Sequence, residues 1–520
     1  MNMKWNPGWL GLLAMVFLLL GPTACMMEGS DYGGEPYYSQ DESSNYGDAG
    51  YSPGSDASSS APDAGAYYSE QEEFTEEQGE VDAGVPDAGE EWAWFQLSPD
   101  DSTSMASAQI LKSDSMFHGF PLLPHEVINY YDPPAQLREA GDIPKSWTTQ
   151  EEMFIAIDAE RIVATEDGAP ERLELMVHTF APQVPALDRK PWILHLCVDV
   201  SGSMSGDKIH FVRDALLRLA DAMQAGDKIS LATFETQGHV IFETLDFIAN
   251  EPQIRAALAS IEADGSTNMI SGLELAYAEA QTAYDPGAVN RVLVFSDGQA
   301  NVGDTDIETF AALTRINNQE GIYLSGIGVG ADYATERMDA LTDAGKGAHV
   351  FLPNADEVGV IFGEMVRKIV EVAADEVSIE VQLPAAFAIE SFSGEEVSTN
   401  PQARVPNVVL AAGDDMTILA GFETEDAAAF DGEMILTVRY RPLTTAAQVV
   451  FEQRFPIVEL LRAPSALMQR TRLVDAYGRW ACGQDDDVDT AALRAQIDQQ
   501  APNDPGLSEV SAQIERISAP

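Results

Sequence analysis

Positive charge is scarce in this 520-residue chain: Lys and Arg total 29 against 85 Asp and Glu, a formal net charge of −56. No Lys or Arg occurs between Lys4 and Lys112. Such a surface repels polyanions, which excludes nucleic acid and anionic headgroups as partners and favours cations or cation-mediated contacts. Cysteine is nearly absent, with only Cys25, Cys197 and Cys482, and their spacing fits neither a disulfide framework nor a zinc site. Cys197 lies within the apolar run 194–200 and reads as a buried, inert thiol. The seven histidines are scattered, and His195 falls in the same run, where a satisfied core imidazole is expected rather than a base. Neither HExxH nor a Walker A loop is present. Gly202-Ser203-Met204-Ser205-Gly206 carries Met204 where a nucleophile elbow needs its serine, so an enzyme is not expected.

Long hydrophobic runs are also missing, apart from residues 9–20, which follow Lys4 and precede Gly21-Pro22-Thr23-Ala24-Cys25. That run is too short to span a bilayer and reads as an export segment over 1–25. A cysteine directly after such a run resembles the acylation site of bacterial lipoproteins, although Pro22 stands where that pattern has Leu or a similar residue. The resemblance implies a lipid anchor at Cys25. Met26, rather than Asp, in the next position points to the outer membrane, facing the periplasm or the exterior. A secretory signal cut elsewhere is the alternative. Residues 26–104 are rich in Gly, Ser, Tyr, Asp and Glu, repeat PDAG at Pro62 and Pro86, and carry few aliphatic side chains. Such a stretch cannot bury enough apolar surface to offset its ordering entropy, and is expected to be a disordered acidic tether with ends about 50 Å apart.

Residues 105–190 form an N-terminal segment with an apolar patch at 117–123, a helical signal at 124–131, and two strands: Met153, Ile155 and Ile157 alternate, as do Leu173, Leu175 and Val177. From Pro191 the pattern changes. A largely apolar strand at 192–199 leads to a polar loop and an amphipathic helix at 209–223. Further strands are expected at 229–234, 291–295, 322–327 and 348–352, interleaved with helical stretches. Strands alternating with helices predict an α/β fold, a doubly wound, mostly parallel sheet whose ligands bind beyond the carboxyl ends of the strands. A final helix is expected from Asn354 to about Ala373, with Val358, Ile361, Phe362, Met365, Ile369 and Val372 on one face.

Three of those strand ends and loops carry oxygen donors: Asp199-Val200-Ser201-Gly202-Ser203, Gly265-Ser266-Thr267-Asn268 and Ser296-Asp297-Gly298. Hydroxyls and carboxylates converging from three loops suit a hard cation such as Mg²⁺. Residues 191–373 here resemble the von Willebrand factor A (VWA) family and its metal-ion-dependent adhesion site, with all five expected positions filled. The resemblance implies that Ser201 and Ser203 ligate the metal directly, that Thr267 joins when ligand is bound, and that Asp199 and Asp297 act largely through water. It further implies that the cation is Mg²⁺, with Mn²⁺ or Ca²⁺ as alternatives, and that the ligand is a carboxylate of a partner protein. By analogy with integrins, a shift of the last helix would connect metal occupancy to the neighbouring domain.

Beyond residue 373, Val377, Ile379, Val381 and Leu383 alternate, as do Met434, Leu436, Val438 and Tyr440, predicting an antiparallel β-sandwich over 374–462. The two strands before the VWA-like unit are too few to fold alone, so they are expected to complete the sandwich around an inserted α/β domain. Residues 463–520 are expected to be helical, broken at Gly483 and over 502–506. Asp414-Asp415 and Asp485-Asp486-Asp487 read as solvated turns. The layout resembles exported bacterial VWA proteins with a short N-terminal segment and a C-terminal domain of unknown function. The leading expectation is an envelope module that binds a protein through the metal, in adhesion or envelope assembly, with no small-molecule substrate. A structural linker without metal-dependent ligand, or an accessory subunit of an enzyme complex, is the alternative.

Overall fold

The computed structural model describes residues 92–518 apart from 99–103, 113–123, 151–152, 165–168, 183–188, 300–302, 304, 320, 331–332, 364, 395, 443–446 and 486. The expected export segment with Cys25, the tether up to residue 91 and the apolar patch at 117–123 lie outside the described residues.

The first elements are β1 (Trp92–Ser98), α1 (Ser104–Lys112), α2 (Pro124–Tyr130), α3 (Ala135–Arg138), β2 (Lys145–Thr148), β3 (Phe154–Ile162) and β4 (Glu171–Phe180). β1 corrects the tether boundary at 104. It is an ordered strand because Phe95 and Leu97 alternate into an apolar core and Phe95 meets Phe422 at a ring distance of 4.8 Å. α1 lies across the same boundary and is buried over nearly all its length, contributing Met105, Ala106 and Ile110 to the cores of the α/β domain.

The α/β domain follows as β5 (Trp192–Asp199), α4 (Asp207–Ala222), β6 (Lys228–Phe234), β7 (Gly238–Asp246), α5 (Phe247–Ala259), α6 (Met269–Ala283), β8 (Val289–Ser296), α7 (Ile307–Gln319), β9 (Tyr323–Val329), α8 (Thr335–Gly345), β10 (His349–Leu352), α9 (Ala355–Gly363) and α10 (Val366–Val370). Its sheet has the order β10-β9-β8-β5-β6-β7, parallel throughout except for β7, which runs antiparallel to β6 at the edge. Helices cover both faces, so β5 and β8 are buried at every position, and their apolar runs are continuous rather than alternating. β7 gave no such signal because most of it is exposed or half-exposed, including Val240 and Ile241. The single long final helix is also corrected: it breaks into α9 and α10, and Val372 already opens the next strand. Gly363 weakens the helix at the break, where the Met365 N–H is shared between the carbonyls of Val360 and Ile361 at 3.2 and 3.1 Å.

The remainder comprises β11 (Val372–Pro384), β12 (Ala388–Ser393), β13 (Glu396–Ser398), β14 (Val408–Ala411), β15 (Asp415–Thr424), β16 (Glu433–Pro442), β17 (Val449–Pro456), α11 (Ala466–Ala481), α12 (Thr490–Gln500) and α13 (Pro505–Ile517). One antiparallel sheet runs β13-β1-β11-β16-β17 with β14 also on β11, and the other runs β12-β15-β4-β3-β2. Their inner faces share one core, including Phe95, Leu175, Val381, Phe422 and Leu436. The α/β domain is thus inserted between β4 and β11 of a β-sandwich. Both chain crossings lie where the parallel strands begin: the Arg189 guanidinium grips the Asp227 carboxylate at 3.0 and 2.5 Å just before β6, and Ser325 near the start of β9 donates to the Ile369 carbonyl at 2.9 Å. Helices α11 to α13 close over α2, with Val127, Val474, Tyr477, Ile497 and Val510 in a separate core. The helical end is interrupted over the expected stretch, α12 ending at Gln500 and α13 beginning at Pro505, where the missing N–H of proline is not needed.

Asp414 and Asp415 are not solvated turn residues. The Lys368 ammonium contacts Asp414 at 2.7 Å, while Asp415 is buried and receives the Arg138 guanidinium at 2.9 Å, with the His178 ring also 2.9 Å away. No described helix is long and apolar enough to cross a membrane.

Candidate metal centre

β5 ends at Asp199, fully buried between β6 and β8, and the chain turns at once into a single 3₁₀ turn at Gly202–Met204 before α4. Met204 is fully buried in the core beneath that turn and anchors it. Ser201 is buried and Ser203 exposed, and their hydroxyl oxygens stand 3.0 Å apart. Asp199 orients this loop: one carboxylate oxygen accepts the Ser201 N–H at 2.9 Å and the other accepts the Ser296 hydroxyl at 2.6 Å. Burial pushes the Asp199 carboxyl up to about 6 despite those bonds, and Asp297 adds to the rise.

The second loop is fastened to the first by backbone. The Gly202 N–H donates to the Gly265 carbonyl at 2.9 Å and the Asp264 N–H to the Val200 carbonyl at 2.7 Å. A Cβ on Gly202 would stand 3.2 Å from that Gly265 oxygen, so the close approach favours glycine there. Thr267, two residues on, is 1 % exposed, and Asn268 caps α6 by accepting the Ser271 N–H at 3.4 Å. The third loop leaves β8 at Asp297, buried, with its backbone carbonyl accepting the Ala334 N–H at 2.7 Å. Gly298 follows in the left-handed region at φ +68°, where a Cβ would meet the Ala334 carbonyl at 2.9 Å.

Asp199, Ser201 and Ser203 therefore form one hydrogen-bonded group. Asp297 directly follows the serine bonded to Asp199, and Thr267 sits on the loop tied to Gly202. Two residues outside the sequence-based set belong to the arrangement. Ser296 bridges β8 to Asp199 and also accepts the Gly298 N–H at 2.8 Å. Lys208, in the first turn of α4, places its ammonium 3.0 Å from an Asp297 carboxylate oxygen. Ser296 precedes Asp297 in a buried strand, which is a usable signal for a polar side chain with a nearby duty; for Lys208 the sequence offers none.

The donor types at these five positions suit a divalent cation, and the serine pair has the spacing of adjacent ligands. All donors are oxygens, suiting a hard ion. Two adjacent ligands on an octahedral Mg²⁺ at about 2.1 Å lie about 3.0 Å apart, and the Ser201 and Ser203 hydroxyls have that separation. Asp297 already holds a cation, the Lys208 ammonium. Among the described residues there is no cluster of three or more His, Cys, Asp or Glu that could hold a metal.

Residues 194–362 match the family model described as von Willebrand factor type A domain. This segment is a VWA domain. The uncharacterized protein YfbK of Escherichia coli is 26% identical over 267 residues, 51% of this chain and 45% of that protein. Inter-alpha-trypsin inhibitor heavy chain H4 of Homo sapiens is 28% identical over 204 residues, 37% of this chain and 21% of the relative. This chain thus spans less than half of either relative. Among solved structures, a von Willebrand factor type A protein from Catenulispora acidiphila aligns over 70% of this chain and 87% of its own, at 14% identity and a TM-score of 0.45. The VWA domain here thus sits between β4 and β11, with its candidate centre at the far end of β5 and β8 from both chain crossings.

Proposed function

We propose that the VWA domain binds a protein ligand through a divalent cation held by Ser201, Ser203, Thr267, Asp199 and Asp297, in adhesion or assembly at the bacterial envelope. The observation that carries this reading is the pair of serine hydroxyls 3.0 Å apart on a loop whose backbone Asp199 holds. Ser201 and Ser203 ligate directly, and Thr267 joins when ligand is present. Asp199 and Asp297 act through water, a role supported at Asp199 by hydrogen bonds already made to both of its oxygens. The cation, Mg²⁺ with Mn²⁺ or Ca²⁺ as alternatives, supplies an attachment point for a carboxylate of the partner. A lipid anchor at Cys25 would hold the chain at the outer membrane. The protein acts by binding and not by catalysis.

The test is a calorimetric Mg²⁺ titration of the full chain beside an Asp199→Ala, Ser201→Ala double variant whose circular dichroism spectrum matches. Saturable binding that the double variant loses supports the reading, and justifies a search for partners released by chelator. Equal heats from both chains would assign the cation elsewhere and overturn it.

A further inference from the structure

A cleft of about 420 Å³ opens between the VWA domain and the sandwich, where the parallel strands begin. Arg291, near the start of β8, lines it, about 20 Å along the strand from Asp297. That arginine is 2 % exposed. One guanidinium nitrogen donates to the Ser325 hydroxyl at 2.6 Å, Nε is buried without a partner, and the Tyr323 ring lies 5.6 Å away. Among the described residues no carboxylate pairs with it, and burial pulls the guanidinium down to about 10.

Among the described residues, none of the carboxylates in the cleft wall, Asp343, Glu371, Glu396 and Asp414, forms an ion pair with it. Lys368 is held by Asp132 and Asp414, and Glu371 by Arg367. A buried cation without a counter-ion carries a desolvation penalty of several kcal/mol, which an anion reaching it would offset. The rest of the wall is largely apolar, with Met365 and Ala348 on one side and Val408 and Ala411 on the other. The volume falls in the range of small-molecule sites, about 300 to 1,000 Å³.

We propose that this cleft binds a small organic carboxylate, its head paired with the Arg291 guanidinium and its hydrocarbon part packed against Met365, Val408 and Ala411. Arg291 gives charge selectivity, and the apolar walls give affinity for a short chain. Nothing in this proposal depends on the metal centre.

Octanoate and its uncharged counterpart octanamide are the probes, titrated calorimetrically into the full chain. Saturable octanoate binding is expected, at least tenfold tighter than octanamide, and weakened at least tenfold by Arg291→Met. If Arg291→Met does not fold, Ala411→Trp answers the same question by filling the cleft while leaving the guanidinium in place. The proposal is overturned if the unmodified chain shows no saturable octanoate binding, if octanamide binds equally, or if octanoate binding survives both substitutions. Binding that appears only in an Asp100→Asn, Asp101→Asn double variant also overturns it, since the guanidinium would then belong to a carboxylate of this chain.

Discussion

Asp199 and His195 sit four residues apart on β5 and meet burial in opposite ways. Asp199, at the end of the strand, keeps hydrogen bonds from Ser201 and Ser296. His195, within the strand, meets the Ser230 hydroxyl through Nδ1 at 2.8 Å, while Nε2 is buried and has no hydrogen-bond partner among the described residues. Burial holds His195 at about 4, below its ordinary 6.5. The unfolded chain takes up this proton as pH falls through 6.5, whereas the fold resists it until about 4. The contribution to stability is therefore complete above 6.5 and is lost across the window from 6.5 down to 4, by on the order of 3 kcal/mol. Urea unfolding of His195→Asn between pH 4 and 7 should show a shallower acid slope than the parent. An unchanged slope would place the titration elsewhere. The donor string at Asp199, Ser201 and Ser203 was legible in the sequence because it is local. Ser296 was marked as a polar residue in a buried strand, but neither its bond to Asp199 on β5 nor the contact of Lys208 with Asp297 was legible, because the choice of a partner on another element is not encoded in spacing.

At the scale of elements, the informative case is α1. Its Gln109 side-chain oxygen accepts the Phe351 N–H at 2.8 Å, capping a backbone donor on β10, the edge strand of the parallel sheet. Covering an edge in this way removes a template for unwanted strand pairing. Gln109→Ala would leave a buried amide unpaired, a loss of about 1 to 3 kcal/mol. Faster hydrogen exchange at the Phe351 amide is the expected signature; unaltered protection there would mean that the cap is dispensable. α9 and α10 teach a related lesson. The apolar spacing from Val358 to Val372 was read as one helical face, and Val358, Ile361, Phe362, Ile369 and Val372 are all buried. The helix nonetheless breaks after Gly363, and Val372 pairs with Ala411 in the sandwich instead of extending it. Helical periodicity reports burial on a face, and a broken helix can satisfy it equally well.

For the whole molecule, the decisive element is β1. Composition averaged over 26–104 hid it, although Ala93, Phe95 and Leu97 alternate in the way a half-buried strand requires. In the fold it lies between β13 and β11, with Phe95 opposite Val381 and Leu97 opposite Ile379. Burial of Phe95 and Leu97 together contributes about 3 to 6 kcal/mol. A chain starting at residue 105 should therefore unfold at clearly lower urea than the full chain. An equal midpoint would show that the sandwich does without its N-terminal strand.

Periodicity and composition determined the α/β class, the alternating strands on either side of it and the helical end of the chain, since each follows from which faces are apolar. The oxygen donors at three loops were likewise readable one loop at a time. Only the tertiary structure decided that β1 completes a sheet with a strand nearly three hundred residues away, that Arg291 is buried with no counter-ion among the described residues, and that Asp414 and Asp415 pair with Lys368 and Arg138. Those outcomes depend on which segments meet across the fold. Local sequence fixes the faces that must be covered, and long-range packing selects what covers them.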